Sequence, residues 1–335
     1  MGGTDKSTDS AMTKTVILQS LGKLSPLGGG NEAQVSRVQS RQGIAVKIYK
    51  PNVINELHLP SLEALLATIE GLDTHTRARI SERAAFPIEL VTDKGKWIGF
   101  TMPLLPDTFF ARHGVKAMPK RVELDWNRLT MSHRWIGNPN MLSEIPLPTE
   151  RQQLEIALSL SQTVAMLHRA GIIIGDVSGR NLLWALKPTP LAYFLDTDSF
   201  RIQQMPGTTT PKETDGWRDP ELKGQPTNFS SDLYKMALAI SRIFFSSEFS
   251  AASVNKPPTS MTGASQQVFD HAKIAFSSNK RPDAESWAKL LGRLVLEKNL
   301  EGRPVINRPP PATPRERQTM WPDRPIIPMP RRPGS

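Results

Sequence analysis

No cysteine occurs among the 335 residues of this chain. That excludes disulfides, zinc–thiolate sites and thiol catalysis, and it is compatible with a reducing compartment. Long apolar runs are missing as well. No window approaches the roughly 18 to 20 uninterrupted apolar residues of a membrane-spanning helix, so no membrane partner is expected. The first residues, MGGTDKSTDSAMTKT, hold no apolar signal core and read as the start of a cytoplasmic protein. Internal repeats are absent. A hydrophobic content of 38% and a charged content of 22% fit a globular chain that carries some unstructured sequence.

What the chain has in excess is positive charge, a net +10. Much of it falls in the final stretch, EGRPVINRPPPATPRERQTMWPDRPIIPMPRRPGS. Dense proline removes backbone donors and holds a chain extended, so a packed core is not expected there. No aromatic–basic interleaving accompanies the charge, and no specific nucleic acid is expected as a partner. The organisation expected is α+β: a disordered N-terminus over 1–14, a β-rich part over 15–102, a helical part over 103–296 and a disordered Pro/Arg-rich tail over 297–335.

Strands are expected at Val35–Val38, Ile44–Tyr49, Ile88–Val91 and Trp97–Met102, with hairpin turns at Ser40–Gly43 and Asp93–Gly95. One helix, Leu59–Ile69 with Pro60 near its start, interrupts them. Beyond Pro103 the chain reads as mostly helical, with helices at Thr149–Ala170, Asp232–Phe245 and Trp287–Leu296. The insert over 106–148 reads as a lid or a docking element.

The stretch Ile172–Leu183, IIIGDVSGRNLL, sets Asp176 and Asn181 five positions apart between two apolar runs. Pinned at both ends, such a loop can hold two oxygen ligands rigidly; an ordinary buried turn has the same look. Four other segments join it. Gly28-Gly29-Gly30-Asn31-Glu32-Ala33-Gln34-Val35 is a glycine-rich pattern whose backbone N–H groups could approach phosphate oxygens. Ala45-Val46-Lys47 sets a lysine in an apolar strand, where an ammonium needs anionic company. Glu63 and Glu56 are the candidate partners. Leu195-Asp196-Thr197-Asp198-Ser199-Phe200 ends an apolar strand in carboxylates, which either cap a turn or serve as hard oxygen ligands for Mg²⁺. Finally come Asp219-Pro220-Glu221, Asp232-Leu233-Tyr234 and Arg281-Pro282.

Taken in order over roughly residues 22 to 295, these pieces resemble the protein kinase family. The likeness is to divergent bacterial Ser/Thr kinase-like proteins with D-x-D-S-F in place of D-F-G and a G-F-x-M-P segment, here Gly99–Pro103. The resemblance implies a two-lobed kinase-like fold and ATP and Mg²⁺ as cofactors. Gly28, Gly29, Gly30, Val35, Ala45, Met102 and Leu104 would line the nucleotide site, with Lys47 on the phosphates and Glu63 as its ion-pair partner. Asp176 would act as base; Asn181, Asp196 and Asp198 would serve the metal. Glu221 and Arg281 would form a buried pair, and Asp232 would brace the loop holding Asp176. Protein substrates, a metal-dependent Ser/Thr protein phosphatase and a von Willebrand A-type protein are the implied partners.

The sequence also departs from that family. Ile174-Gly175 replaces His-Arg ahead of Asp176, so a phosphate on the following segment lacks its usual partner, despite Thr208, Thr209, Thr210 and Thr214. Ser178 stands where a lysine is usual, and Arg180 would supply the charge. Thr197-Asp198 replaces Phe-Gly, which restricts backbone freedom there. A pseudokinase scaffold and a small-molecule phosphotransferase are the rival readings. Retention of Lys47, Asp176, Asn181 and Asp196 weighs against the first; Asp219–Glu221, Asp232 and Arg281 weigh against the second.

Overall fold

The computed structural model describes residues 14–131, 138–209, 214–277 and 280–300. The disorder expected of residues 1–13 and 301–335 lies outside the described residues. Lys14 and residues 297–300 do not share it: the Lys14 carbonyl accepts from Leu90 N–H at 2.9 Å, and 297–300 continue a helix that runs to Leu300. Residues 14–296 fall within one unit, and of the unit 297–335 only 297–300 are described.

Short segments, most of them carrying β-branched residues, build the N-terminal region into a six-stranded sheet. Its strands, numbered in chain order, are β1 (Thr15–Ile17), β2 (Leu24–Gly29), β3 (Ala33–Val38), β4 (Ile44–Tyr49), β5 (Glu89–Asp93) and β6 (Lys96–Pro103). They lie in the order β1-β5-β6-β4-β3-β2, antiparallel throughout except for β1 beside β5. Both expected hairpins form, with Gly43 and Gly95 in the left-handed region at φ 74° and 77°. Gly99 answers to space instead. It lies opposite Ile48, and a Cβ on it would come within 2.0 Å of the Lys47 carbonyl oxygen.

Between β4 and β5 the chain forms three helices, not one: α1 (Pro51–Ile54), α2 (Leu59–Glu70) and α3 (Thr74–Ser81). Helix α2 matches its expected span and buries Leu62, Leu65, Leu66 and Ile69. Helix α3 carries no apolar stripe, since only Ile80 is buried; the Asp73 carboxylate fixes its start by accepting from Thr76 N–H at 2.9 Å.

The C-terminal part is helical as expected, but not from its beginning. The insert folds into a second sheet, β7 (Phe110–Val115), β8 (Lys120–Glu123) and β9 (Met141–Ser143), in the order β8-β7-β9, with the short helix α4 (Trp126–Met131) between the last two. Helix α5 (Glu150–Arg169) then starts at a Thr149–Gln152 capping box. Strands β10 (Ile172–Ile173), β11 (Leu182–Ala185), β12 (Leu191–Phe194) and β13 (Arg201–Ile202) make two small ladders, β10–β13 and β11–β12. Helices α6 (Phe229–Phe244), α7 (Gly263–Ser277) and α8 (Ala284–Leu300) complete the part. The largest core unites α5 to α8 around Trp126, Trp184, Phe194, Phe200 and Trp287. Among the described residues no helix is long and apolar enough to cross a membrane.

Candidate functional site

Strand parity places Ala45, Lys47 and Tyr49 on one face of β4, and all three are buried. Lys47 Nζ donates to Asp196 Oδ1 at 2.8 Å and to both oxygens of Asp198 at 2.9 Å. Tyr49 Oη donates to Asp198 Oδ2. Burial alone would lower the lysine pKa, but Asp198 and then Asp196 outweigh it and raise it. Burial, followed by the Asp198 charge, pushes the Tyr49 phenol up.

Backbone geometry explains why two neighbouring aspartates diverge. Asp196 adopts a left-handed conformation, φ 52° and ψ 42°, and a single 3₁₀ turn follows over Thr197–Ser199. Thr197 Oγ1 anchors that turn on the Ala85 carbonyl at 2.8 Å, while the Phe200 ring stands edge-on to Phe86 and Phe194. The result turns Asp198 inward, 3% exposed at the side chain, and leaves Asp196 outward at 59%.

Two sequence expectations change here. Glu63 does not pair with Lys47. It makes no hydrogen bond or ion pair among the described residues, and Asp198 stands in the role expected of it. Asp198, expected to serve the metal, instead has both oxygens engaged by Lys47 and Tyr49.

The loop carrying Asp176 is braced as expected. Asp232 is fully buried and accepts from the N–H groups of Ile174 and Gly175 at 2.8 and 2.9 Å. Two residues the sequence reading passed over complete the brace. His168 Nε2 lies 3.1 Å from Asp232 Oδ2, and buried Lys235 donates to the Gly175 carbonyl at 2.8 Å. Lys235 follows Asp232 by three residues, hence on the same helix face; a lysine in an otherwise apolar helix was the available signal. Asp176 itself accepts from Asn181 Nδ2 at 2.8 Å and from Thr214 Oγ1 at 3.2 Å. Burial raises its pKa above the ordinary carboxylate value, with Lys235 opposing. Ser178 is buried, whereas Arg180 is exposed and makes no hydrogen bond among the described residues.

These elements enclose a cavity of about 330 Å³. Gly28, Gly29, Val35, Ala45, Lys47, Met102, Leu104, Arg180, Asn181, Asp196 and Asp198 all line it. Gly30 and Glu63 do not. Asp176 lies in a second hollow of about 120 Å³, which shares Asn181 and Asp196 with the first. The insert also supplies a wall that the sequence did not suggest: Phe110, Arg121 and Glu123. Arg121 stacks 3.5 Å above the Phe110 ring and pairs with Asp107 at 2.5 Å, which fixes it at that wall. A larger hollow of about 690 Å³, beside Thr149 and Pro188, is open and gathers none of the carboxylates or the lysine named above. Converging chemistry, not volume, places the site.

A hard divalent cation fits part of this set. Asn181 uses only its Nδ2, toward Asp176, and Asp196 uses only Oδ1, toward Lys47, so Asn181 Oδ1 and Asp196 Oδ2 are unengaged. Groups of three or more His, Cys, Asp or Glu side chains that could cage a metal are absent among the described residues. Two oxygens suit Mg²⁺, which commonly takes one or two protein ligands and completes its shell with water and phosphate oxygens.

The remaining expected pair is shifted by one partner. Arg281, 4% exposed, pairs with Glu221 at 2.7 Å, but Glu221 is 47% exposed; its buried partner is Asp219, 2% exposed and bonded twice, at 2.5 and 2.9 Å. One guanidinium fork thus reaches the carboxylates on either side of Pro220. Thr208 is buried, and Thr210 lies outside the described residues. No protein-family model matches the chain, and no curated protein matches it.

Proposed function

We propose that the chain is an ATP- and Mg²⁺-dependent protein kinase of two-lobed kinase-like architecture, transferring the γ-phosphate to Ser or Thr hydroxyls. One observation carries this reading: the larger cavity and the smaller hollow meet at Asn181 and Asp196, with Lys47 in the first and Asp176 in the second. A nucleotide in the larger cavity would bring its terminal phosphate to that junction, and a hydroxyl acceptor would approach through the smaller hollow.

Phosphoryl transfer asks a protein for positioning and for charge opposite the phosphates. Lys47 and Arg180 supply cations on the larger cavity's wall. The apolar surfaces of Val35, Ala45 and Met102 suit a planar base. Asp176, ionised and oriented by Asn181, would accept or orient the acceptor's proton. Asn181 and Asp196 would hold Mg²⁺, which when bound neutralises phosphate charge.

On this reading the substrates are proteins, the compartment is the cytoplasm, and a metal-dependent Ser/Thr phosphatase and a von Willebrand A-type protein are candidate partners. The test is incubation of the pure chain with radiolabelled ATP and Mg²⁺, alone and with basic and acidic model proteins. Label on Ser or Thr that vanishes in Asp176→Asn is expected. ATP binding without transfer would favour the pseudokinase, and label on small hydroxylated molecules alone would favour the phosphotransferase.

A further inference from the structure

We propose that Asp198, held by Tyr49, is the fixed counterion that positions Lys47, so that the lysine is set for an anionic ligand by the loop carrying Asp196 and Asp198 and not by a carboxylate of helix α2. An ammonium has three N–H donors, and here the two aspartates meet all of them. Their environments give them different duties. Asp196 is largely exposed and can trade its bond for another partner, whereas Asp198 is buried and an unpaired carboxylate there would be costly.

Tyr49 explains why Asp198 stays in place. Its hydroxyl takes up Asp198 Oδ2, and its ring is wedged edge-on between Trp97 and Phe100 at 5.5 and 6.1 Å. Lysine and tyrosine two apart on one strand thus meet the second carboxylate of D-x-D. The polar groups at the start of helix α2 are engaged elsewhere. His58 N–H, at its start, donates to the Thr208 carbonyl at 2.9 Å, and Ser61 Oγ to the Pro206 carbonyl at 2.8 Å. Helix α2 therefore bears on the 206–208 segment through hydrogen bonds, and on the Lys47 site only through the apolar packing of Leu62 and Leu66 in the cluster that holds Tyr49 and Phe100.

The test uses the full chain and two thermodynamic cycles. In denaturant unfolding, Lys47→Met combined with Asp198→Asn should lose clearly less stability than the two single losses added, while Lys47→Met combined with Glu63→Gln should be additive. Additivity in the first pair, or coupling in the second, would overturn the assignment. This cycle needs no nucleotide, so it stands even if the kinase reading fails.

The second cycle rests on that reading and measures ATP binding in EDTA by calorimetry. Lys47→Met should weaken binding about tenfold or more in the otherwise unaltered chain, and equally when Glu63→Gln is present. With Asp198→Asn present the same change should cost almost nothing, because the lysine has lost its placement. If Lys47 instead contributes more once Asp198 is neutralised, Asp198 merely screens the lysine and the positioning role is wrong. Should the unaltered chain bind no ATP with Mg²⁺ present either, the kinase reading falls and the unfolding cycle alone decides the counterion. Should Asp198→Asn fail to fold, Tyr49→Phe replaces it in both cycles, with smaller coupling of the same sign expected.

Discussion

Asn181 donates its side-chain N–H to Asp176 Oδ2 at 2.8 Å, so the residues that begin and end the loop are clasped to each other. A second bond, to the Asp176 carbonyl at 3.1 Å, fixes which way the amide faces and leaves Oδ1 as the atom available to a cation. Asp196 would bring a full charge to such a cation, and Asn181 only a dipole. Asp196→Ala should therefore abolish the Mg²⁺ dependence of nucleotide affinity, while Asn181→Ala should reduce it by about tenfold. Calorimetry with and without Mg²⁺ decides; two variants that respond to Mg²⁺ like the parent chain would put the metal elsewhere.

The acid limb of activity should reflect Asp176. Burial lifts its pKa above the ordinary 3.8, and the nearby Lys235 charge pulls it part of the way back. Only the ionised form can take a proton, so kcat/KM should fall as pH drops through that raised value. Lys235→Met removes the opposing charge and should move the limb to higher pH. A pH profile unchanged in a folded Lys235→Met variant would show that Asp176 is not the titrating group.

Arg180 lines the larger cavity without a hydrogen bond of its own among the described residues. Burial raises the Asp125 pKa, and Arg180, after Arg128, opposes that rise. Loss of one cation facing a transferring phosphoryl commonly costs about 10² to 10³ in rate. Arg180→Ala should lower kcat by that order with little change in ATP affinity, and Arg180→Lys should retain part of the rate. Full activity in Arg180→Ala would make it a surface residue. Ser178→Lys is a poorer rescue than the family pattern implies, since Ser178 is 1% exposed and a lysine there would displace packed neighbours.

The parts legible in the sequence were those where one physical signal dominates. A short apolar run rich in β-branched residues gave β4, and a capping threonine followed by an apolar stripe gave α5. The insert escaped because Phe110–Val115 interleaves Arg112, His113 and Gly114 and shows no clean alternation, so its sheet depends on pairing with neighbouring β8 and distant β9. At the site, the residue types were legible and their partners were not. Which carboxylate reaches Lys47 is decided by the left-handed turn at Asp196, a conformation that an aspartate tolerates but does not announce.

Arg281 offers a stability test of the same point. With Asp219 buried and Glu221 half exposed, the two ion pairs should differ greatly in worth. Arg281→Met strands the Asp219 carboxylate and should cost about 3 to 5 kcal/mol, the range for breaking a buried pair. Glu221→Gln should cost below about 1 kcal/mol, as exposed pairs do. Denaturant unfolding of both variants checks it, and equal losses would return Glu221 to the role the sequence reading gave it.

Gly99 provides the most local prediction, because the fault it would create is one atom wide. It sits opposite Ile48 where β6 runs beside β4, and an added Cβ would stand 2.0 Å from the Lys47 carbonyl oxygen and 3.0 Å from the Ile48 Cα. Both neighbours are backbone, so no side chain can swing aside. Relief requires the strands to part just where Lys47 and Tyr49 project to Asp198. Overpacking of this kind typically costs about 1 to 3 kcal/mol, and more when rigid backbone is the obstacle. Gly99→Ala should therefore lower Tm by several degrees, about 2 to 4 °C per kcal/mol in a chain of this size class, and weaken ATP binding in the same variant. Asp73→Ala, which removes a helix cap, provides the control: it should lower Tm with ATP affinity unchanged. A Gly99→Ala variant that binds ATP like the parent would mean that the lysine tolerates displacement of its own strand.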